Sequence, residues 1–459
     1  MNIMMKVEAQ KSQNKISFES GCHSQRISCL RKKVLLLCLP LLMMSCNRME
    51  ELFHHETPRE SYISSMEKSP LRGKRLWENW KIQGDSVWKQ AISAKIAMEQ
   101  ILIYFMDIPD AWAWKIYLPA GRQLKIICSP ADTSQRIFTD LFILKDGVPV
   151  PEASTEDTLM EYASHQDQEL ILRIQPEFLI EGRARLRITD APQLSFPVQG
   201  GRRYDIGSFW GDPRDAGGRR HEGVDIFAAR NTPALAVGEG RIIRTGEGGL
   251  GGKTVWLRSG GLSLYYAHLD SIAVSFGSYV KEGDTVGFVG NTGNARTTPP
   301  HLHFGIYRQG AIDPLPFIDV PNFQFPSVSI DFQEGQKWGR ISGKEANVRL
   351  TPSTKEAPVT TLHRNQVIHF RGGIEDWYQI RLPDGRPGYI HRSLMKVAAE
   401  PLSQEAVDEK DTLYYRYQSD RFFLPVDTFQ QQIEEYGYFG KRALIRYGKQ
   451  WVWKRRDEI

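Results

Sequence analysis

Short apolar runs with a period of two dominate the chain between residues 115 and 190. Segments such as Glu169-Leu-Ile-Leu-Arg-Ile-Gln175 and Gly182-Arg-Ala-Arg-Leu-Arg-Ile-Thr189 alternate apolar with charged or polar residues. Successive side chains of a strand point to opposite faces of a sheet, so this alternation is typical of half-buried strands. Several such strands separated by turn-forming residues predict a β-sandwich.

The segment before this β-rich region has a different pattern. Between Gly84 and Ile103 the chain contains neither Gly nor Pro, and apolar residues recur at mixed helical spacing. This pattern predicts an amphipathic helix near residues 85–102. We therefore expect residues 73–196 to form one domain, a helix plus a β-sandwich. Five tryptophans of this domain are expected to be core residues, with a sugar-binding platform as the alternative: Trp77, Trp80, Trp88, Trp112 and Trp114.

The rest of the chain also consists of short strand-like segments. Residues 197–318 are rich in glycine and show no helix-length periodicity, which predicts antiparallel β-structure with tight hairpins. Residues 336–398 form another short all-β unit, and 399–459 are an extension that ends in a predicted hairpin at 444–453. The predicted fold class is therefore mainly β and multidomain, which agrees with a length of 459 residues.

The net charge of +5 is located at the N-terminus. Residues 1–45 hold seven Lys/Arg and two Glu, so they alone account for the excess and the remainder sums to zero. The basic balance therefore gives no reason to expect a nucleic-acid partner.

The first 45 residues have the pattern of a secretory signal. Arg31-Lys-Lys33 precedes eleven largely apolar residues, which are too few to span a bilayer, since that needs about 20. Ser45-Cys46 follows and resembles a lipoprotein processing site, so Cys46 is the predicted lipidation site; the alternative is an ordinary signal peptide with a chance cysteine. The lipoprotein interpretation predicts that residues 46–72 are a polar tether. It also predicts that the protein belongs to the cell envelope, where it is held at a membrane and faces the periplasm.

With the leader removed and Cys46 lipidated, Cys128 is the one remaining cysteine, and its apolar surroundings predict a buried free thiol. The cysteines therefore supply no metal site.

Two polar motifs about eighty residues apart carry the candidate chemistry. They are Arg220-His-Glu-Gly-Val-Asp225 and Pro300-His-Leu-His-Phe304. A catalytic zinc takes three imidazole or carboxylate ligands and keeps one position open for water. On a strand, His301 and His303 share one face and Leu302 takes the other. His221 and Asp225 could reach the same point, and the residues alone do not choose between the two later histidines.

The surroundings of these motifs carry a family resemblance. In order, the chain has Thr232-Pro-Ala-Leu-Ala-Val-Gly, Tyr265-Tyr-Ala-His-Leu-Asp270 and Gly287-Phe-Val-Gly-Asn-Thr-Gly-Asn294 around them. Residues 197–318 thereby resemble the lysostaphin/LytM-type peptidoglycan metallopeptidases. The resemblance implies an antiparallel-β domain with an open groove, and zinc held by His221, Asp225 and His303.

The same resemblance implies the roles of two further histidines. His301 would take a proton from water, and His268 would stabilise the developing oxyanion. By the two-residue period Tyr266 shares the strand face of His268 and could orient it, whereas Tyr265 is expected in the core. The implied activity is zinc-dependent hydrolysis of peptide cross-links, with peptidoglycan as partner. The alternatives are a non-catalytic regulator that activates another wall hydrolase, and a wall-binding scaffold.

Two other regions carry weaker resemblances. Residues 115–190 resemble the jelly-roll domains appended to secreted bacterial peptidases. Three motifs, at 346–350, 376–381 and 385–390, resemble a bacterial SH3-like domain, which implies a small β-barrel. Such modules often bind cell-wall peptides, and a packing domain without a ligand is the equal alternative.

Overall fold

A computed structural model of the chain describes residues 56–321, 324–330, 332, 335–406, 412–414, 416, 423–424 and 432–456. The predicted signal peptide, Cys46 and residues 47–55 of the predicted tether lie outside this part. Within it, no helix combines the length and the apolar composition that a membrane span requires.

The helices of the described part are few and short. They are α1 (Pro58–Met66), α2 (Arg75–Ser86) and α3 (Leu315–Ile318), with 3₁₀ turns at Val87–Gln90, Arg203–Asp205, Asp215–Gly217, Gly293–Ala295 and Arg392–Leu394.

The first nine strands build the predicted β-sandwich. They are β1 (Ile92–Ser93), β2 (Met98–Tyr104), β3 (Trp112–Leu118), β4 (Arg122–Pro130), β5 (Ile137–Lys145), β6 (Val148–Thr155), β7 (Leu159–Ala163), β8 (Gln168–Pro176) and β9 (Gly182–Pro192). One sheet has the order β1-β3-β8-β5-β6, and β2-β9-β4-β7 run side by side in the other. Buried side chains fill the space between them, including Leu102, Trp112, Trp114, Leu124, Cys128 and Leu172.

The predicted helix over residues 85–102 is wrong. α2 ends at Ser86, and the apolar residues that follow belong to the strands β1 and β2. Both faces of β2 are buried, because Leu102 packs inside the sandwich while Ile103 packs into a second core on the other side. A strand that is buried on both faces does not show the alternation of apolar and polar residues by which a strand is recognised in sequence. Its residues form a largely apolar run instead.

The prediction of a polar tether over residues 46–72 is also wrong for residues 58–66, which form α1. Arg59 on this helix is buried, stacks over the Trp80 ring at 5.0 Å and donates a hydrogen bond to Gln175. Tyr62 joins an aromatic cluster in which Trp77 and Trp80 stack 5.1 Å apart. The tryptophans are therefore core residues, as predicted, with Trp88 only half-buried.

The central strands form an antiparallel domain. They are β10 (Ile206–Ser208), β11 (Pro213–Arg214), β12 (Arg219–Arg220), β13 (Val224–Phe227), β14 (Pro233–Leu235), β15 (Gly240–Gly246), β16 (Lys253–Ser259), β17 (Leu262–Ile272), β18 (Tyr279–Val280), β19 (Thr285–Val289), β20 (His301–Tyr307) and β21 (Ala311–Ile312). The main sheet has the order β10-β13-β20-β17-β16-β15-β18, and all its pairs are antiparallel, as predicted.

The remaining strands form the SH3-like module and a C-terminal sheet. The module comprises β22 (Trp338–Ile341), β23 (Glu345–Val348), β24 (Thr360–His363), β25 (Val367–Ile374), β26 (Trp377–Arg381), β27 (Pro387–His391) and β28 (Met395–Val397). The C-terminal sheet comprises β29 (Ser403–Ala406), β30 (Leu413–Tyr414), β31 (Phe423–Leu424), β32 (Gln432–Phe439), β33 (Arg442–Tyr447) and β34 (Gln450–Arg455), and β33 and β34 are the predicted final hairpin.

The β-sandwich and the SH3-like module share one sheet. β2 pairs with β25, with Leu102 opposite Gly372, so nine strands form a continuous sheet. A Cβ atom at Gly372 would lie 2.1 Å from the carbonyl oxygen of Ile101, and its φ of +154° disfavours other residues, so glycine permits this close pairing.

A buried charge cluster joins the same two modules. The Asp110 carboxylate accepts hydrogen bonds from Arg371 Nε and Nη2 and from Arg381 Nη2, each at 2.7 Å. Burial alone would raise the pKa of Asp110, but the two guanidinium groups outweigh it and hold the pKa below its ordinary value. Asp110 is therefore an ionised group that balances two arginines of the other module.

We expect Asp110→Asn to destabilise the protein strongly. The change leaves Arg371 and Arg381 buried without their counter-charge, which typically costs about 3–5 kcal/mol. Calorimetric unfolding should show a lower transition temperature. Glu161→Gln is the matched control, because Glu161 pairs with Lys125 on the surface, where both side chains are 40% exposed and a pair contributes little. Equal transition temperatures for the two variants would contradict the importance of the cluster.

Candidate metal centre

Two neighbouring antiparallel strands bring the two sequence motifs together. β13 pairs with β20 so that Asp225 lies opposite His303 and Phe227 opposite His301. Residues directly opposite each other project from the same face, so these four side chains share one side of the sheet. Leu302 and Phe304 project to the other side and are fully buried in the core. The predicted division of the His-x-His motif between two faces is therefore observed.

His221 reaches this face from the segment between β12 and β13. Its Nδ1 lies 2.8 Å from the carbonyl oxygen of Phe209, an acceptor that requires the proton on Nδ1 and leaves the lone pair on Nε2. Gly223 allows the close approach of the two strands, because a Cβ there would lie 2.5 Å from the Phe304 carbonyl oxygen and 2.8 Å from the His303 ring.

His221, Asp225 and His303 form a compact donor cluster. His221 Nε2 lies 2.9 Å from His303 Nδ1, and Asp225 Oδ1 lies 3.0 Å from each of these nitrogens. Zinc–nitrogen and zinc–oxygen bonds of about 2.0–2.2 Å in a tetrahedron place donor atoms roughly 3.3 Å apart. The three residues therefore fit a tetrahedral metal ion if their donor atoms move apart by a few tenths of an ångström. Among the described residues, they are the one group of His, Cys, Asp or Glu side chains close enough together to hold a metal ion.

The protonation state of the cluster also suits a metal. Burial tends to raise the pKa of Asp225, but hydrogen bonds and charge from His221 and His303 outweigh it and hold this pKa well below its ordinary value. Burial lowers the pKa of His303. An ionised carboxylate and a neutral imidazole are the forms in which Asp225 and His303 can bind a metal ion.

Arg214, which the sequence analysis did not identify, contacts the second carboxylate oxygen of Asp225. Its Nη2 donates to Asp225 Oδ2 and also to Ser208 Oγ. The guanidinium group thereby turns Oδ1 towards the two imidazoles. Its only sequence signal is its position in the short β11–β12 hairpin just before the first motif.

Replacing Arg214 by methionine should weaken zinc binding about 10–100-fold, which is the usual effect of removing a group that orients a ligand. Competition with a chromogenic chelator measures this affinity. Arg220→Met is the control, because Arg220 is exposed on the same hairpin. Equal affinities of the two variants would show that Asp225 does not depend on Arg214.

His301 and His268 lie beside the cluster without joining it. Their ring centroids are 5.1 Å apart, and the His268 ring is 5.9 Å from that of His303. His301 Nδ1 lies 2.9 Å from the Pro299 carbonyl oxygen, and His268 Nδ1 lies 2.9 Å from that of Thr292. Both rings therefore carry their proton on Nδ1 and a lone pair on Nε2. Burial, followed by the charges of His303 and His301, lowers the pKa of His268 to about 4.

A β-bulge in β17 changes the faces of the two tyrosines before His268. Val255 pairs with Tyr266 but Lys253 pairs with Leu269, so the register shifts between them, and His268 has a φ of +61°. Tyr266 is consequently buried in the core, where its hydroxyl accepts a hydrogen bond from Val237 N. The prediction that Tyr266 orients His268 is wrong, because the bulge breaks the two-residue period.

Tyr265, predicted as a core residue, lines the cleft instead. The cleft has a volume of about 560 Å³, and the donor cluster, His268 and His301 lie along it. The Tyr265 ring packs 5.8 Å from His303 and 4.4 Å from Trp256. Further lining residues, to which the sequence pattern gives no individual role, are Arg219, Leu250, Asn294, Thr298 and Tyr307. Most of them lie in loops, where the sequence has no periodic signal.

Comparison with known proteins gives two family matches. Residues 219–314 match the model for peptidase family M23, and residues 344–396 match that for the bacterial SH3 domain. These matches confirm the resemblance to the lysostaphin/LytM-type metallopeptidases and the resemblance to a bacterial SH3-like domain. Together with the observed sheets they confirm a mainly β, multidomain fold that contains a metallopeptidase-type domain and an SH3-like barrel.

Individual relatives are similar over the same region. An L-Ala–D-Glu endopeptidase of Bacillus subtilis is 34% identical over 143 residues, which are 28% of this chain and 44% of the relative. The glycyl-glycine endopeptidase ALE-1 of Staphylococcus capitis is 31% identical over 162 residues, 33% of this chain and 44% of the relative. The chain thus spans less than half the length of these curated relatives. The solved catalytic domain of lysostaphin from Staphylococcus simulans is 32% identical, with 26% of this chain and 92% of that domain covered and a TM-score of 0.23.

Proposed function

We propose that the chain is a zinc-dependent endopeptidase that hydrolyses peptide cross-links of bacterial peptidoglycan. The observation that carries this proposal is the arrangement of five polar side chains on one cleft wall. Three of them place one donor atom each within about 3.0 Å of the others, and two further imidazoles line the same cleft. The endopeptidase names of the similar proteins support peptide hydrolysis, and the SH3-like match supports a cell-wall substrate.

His221, Asp225 and His303 are the proposed zinc ligands. Zinc held by these residues would supply Lewis acidity, which would make water a better nucleophile near neutral pH and polarise a carbonyl group. The Arg214 guanidinium and the Phe209 carbonyl hold two of these ligands in their binding orientation.

His301 and His268 are the proposed catalytic groups. His301 Nε2 has the lone pair required to take a proton from the attacking water, and the same nitrogen can return it to the leaving amine. His268 contacts the scissile carbonyl oxygen and stabilises the charge that develops there. Its Nε2 can donate a hydrogen bond only after it takes up a proton from the solvent in the cleft, which the growing negative charge of the oxyanion favours, and this proton returns to solvent when the carbonyl group is restored.

Digestion of purified peptidoglycan tests this function. We expect new amino termini and smaller soluble fragments by mass spectrometry, their loss after chelation and their return after zinc is added. The alternative, a non-catalytic regulator, would bind the wall and release nothing with or without zinc. The intact pair His268 and His301 supports the enzyme, because a regulator has no need of two imidazoles beside a metal site.

The proposed location is the cell envelope, with lipid on Cys46 as the membrane anchor. Each buried methylene of the acyl chains would contribute about 0.8 kcal/mol of membrane affinity. We therefore expect Cys46→Ser to move the protein from the membrane to the soluble fraction of lysed cells. Cys128→Ser is the control, because Cys128 is a buried free thiol. Continued sedimentation of Cys46→Ser with membranes would contradict the anchor.

A further inference from the structure

The sheet face that carries the candidate metal centre continues beyond the cleft over three more strands. His303 and Gly305 lie on this face of β20, and Tyr265 of β17 lies directly opposite Gly305. Trp256 of β16 pairs with Tyr265, and Arg244 of β15 pairs with Trp256. Residues directly opposite each other project from the same face. A row of side chains therefore runs from the metal ligands across the sheet to an arginine.

Aromatic side chains form the part of this face that adjoins the metal centre. Tyr265 and Tyr307 line the cleft, and the centroid of the Trp256 ring lies 4.4 Å from that of Tyr265 and 5.1 Å from that of Tyr307. All three residues are only half-buried. The other face of the same strands is the closed core, where Leu257 and Leu264 are fully buried. The aromatic face is therefore an open surface, along which a bound chain has room to extend from the cleft.

Three arginines lie together at the far end of this face. Arg241 of β15 is directly opposite Arg258 of β16, and Arg244 shares their face because a bulge shifts the register of β15 before it. All three are exposed. Among the residues that the structure describes, none of the three has an ion-pair partner, although Arg241 donates a hydrogen bond to the Gly277 carbonyl oxygen. These three residues are the arginine cluster.

The arginine cluster does not favour the fold itself. Like charges directly opposite each other in antiparallel strands destabilise a sheet. The strands β15, β16 and β20 contain no acidic residue, and Glu239, which precedes β15, bonds to Tyr279. The chain after residue 45 has no net charge, so the cluster is not part of a generally basic composition. Like charges that the fold leaves without a counter-charge on an open face indicate a site for an anionic ligand.

The distance between the cluster and the metal centre sets the length of this ligand. In the sheet order, β17 and β16 lie between β20 and β15. Three strand spacings of about 4.8 Å make about 14 Å, which about four residues of an extended peptide cover. The charge of Arg244 also acts within the cleft, because burial raises the pKa of Tyr265 and this charge opposes the increase. The cluster and the metal centre are thus close enough for one short peptide to contact both.

We propose that the arginine cluster binds a free carboxylate of the substrate about four residues from the scissile bond. The intervening segment lies on Trp256, Tyr265 and Tyr307. Guanidinium groups bind carboxylates through charge-assisted hydrogen bonds, which are stronger than those between neutral groups. The substrate class is therefore an anionic wall peptide rather than a neutral glycine bridge. This inference rests on the proposed peptidase function and adds the substrate class to it.

Soluble cross-linked fragments of peptidoglycan test the inference in two forms. One form keeps its free carboxylates, and the other has them converted to methylamides by carbodiimide coupling, with every peptide bond retained. We expect the wild-type chain to cleave the carboxylate form with a kcat/KM at least about tenfold higher, mainly through a lower KM. Added salt should reduce this preference, because it screens exposed charges. Equal kcat/KM values for the two forms would overturn the inference and leave the peptidase function intact.

A double variant assigns the preference to the arginine cluster. Arg244→Gln combined with Arg258→Gln should lower kcat/KM for the carboxylate form about tenfold and leave the value for the amidated form unchanged. It should not lower the unfolding temperature, because it removes charge repulsion between β15 and β16. Arg308→Gln should keep the wild-type preference, since Arg308 is an exposed arginine of the same domain that donates to the His165 carbonyl oxygen. Wild-type preference in the double variant would show that the carboxylate binds elsewhere.

Binding measurements separate this inference from the proposed function. If neither form is cleaved, the peptidase function is wrong, and calorimetric titration of the zinc-loaded chain with both forms still decides the inference. Tighter binding of the carboxylate form that is lost in the double variant would support it, and equal binding of the two forms would overturn it. Tighter binding of a glycerol-phosphate polymer, with the same loss in the double variant, would identify a wall polyphosphate as the ligand and would also overturn it.

Discussion

Replacing His303 by alanine is expected to leave the purified protein without stoichiometric zinc and without peptidoglycan hydrolysis. Removing a group that merely orients a ligand lowers metal affinity about 10–100-fold, so removing a ligand itself should exceed the upper value. The structure adds a second reason, because His303 Nδ1 also contacts Asp225 and His221. Loss of the His303 ring therefore removes one of the three metal-binding groups and also a contact partner of the other two, Asp225 and His221. Metal content by mass spectrometry measures the result.

His301→Ala is the matched control for this experiment. His301 lies on the same strand two residues earlier and is buried, but none of its atoms belongs to the donor cluster. We expect this variant to retain zinc and to lose turnover. Zinc in His303→Ala together with its absence from His301→Ala would show that the two histidines have been exchanged in this assignment.

The His-x-His motif shows how much of the site follows from sequence. Strand geometry alone places both imidazoles on one face, and β20 has this geometry. The choice of His303 over His301 depends on the register with β13, where Asp225 lies opposite His303. Register between strands eighty residues apart is a tertiary property, so the residues could not decide it and the family resemblance did.

Two failures of prediction have the same tertiary origin. The sequence pattern predicts a helix where β2 lies, because the second buried face of β2 packs on a module that follows more than two hundred residues later. The two-residue period predicts the wrong faces for Tyr265 and Tyr266, because a bulge inserts a residue into β17. Neither the partner sheet nor the bulge leaves a periodic signal in the local sequence.

Arg214 could not be predicted for another reason. It acts through Asp225 rather than as a ligand, and a single arginine in a hairpin has no motif of its own. Sequence patterns identify groups that share a chemical task at fixed spacing, whereas an orienting residue can come from any loop that ends nearby. The other arginines, tyrosines and loop residues that line the cleft likewise share no motif at fixed spacing.

The bulge in β17 also positions His268, and the second of the two largest effects that we expect concerns this residue. A non-glycine residue with a φ of +61° is uncommon, and here it aims the imidazole along the cleft while its Nδ1 remains bound to Thr292. We expect His268→Ala to keep zinc and wall binding, and to lose about 10²–10³ in turnover at saturating substrate, the typical effect of losing one oxyanion donor.

His268→Gln separates this role from that of a general base. A glutamine amide reaches a similar distance and can donate a hydrogen bond, but it cannot accept a proton at neutral pH. If His268 stabilises the oxyanion, the Gln variant should recover part of the turnover that the Ala variant loses. If His268 is a general base, turnover should fall equally in both variants. Measured zinc content and near-ultraviolet circular dichroism verify that both variants are loaded and folded. Unchanged turnover with weaker substrate binding in His268→Ala would instead identify a binding residue, because an interaction made only in the transition state lowers turnover and leaves ground-state affinity intact.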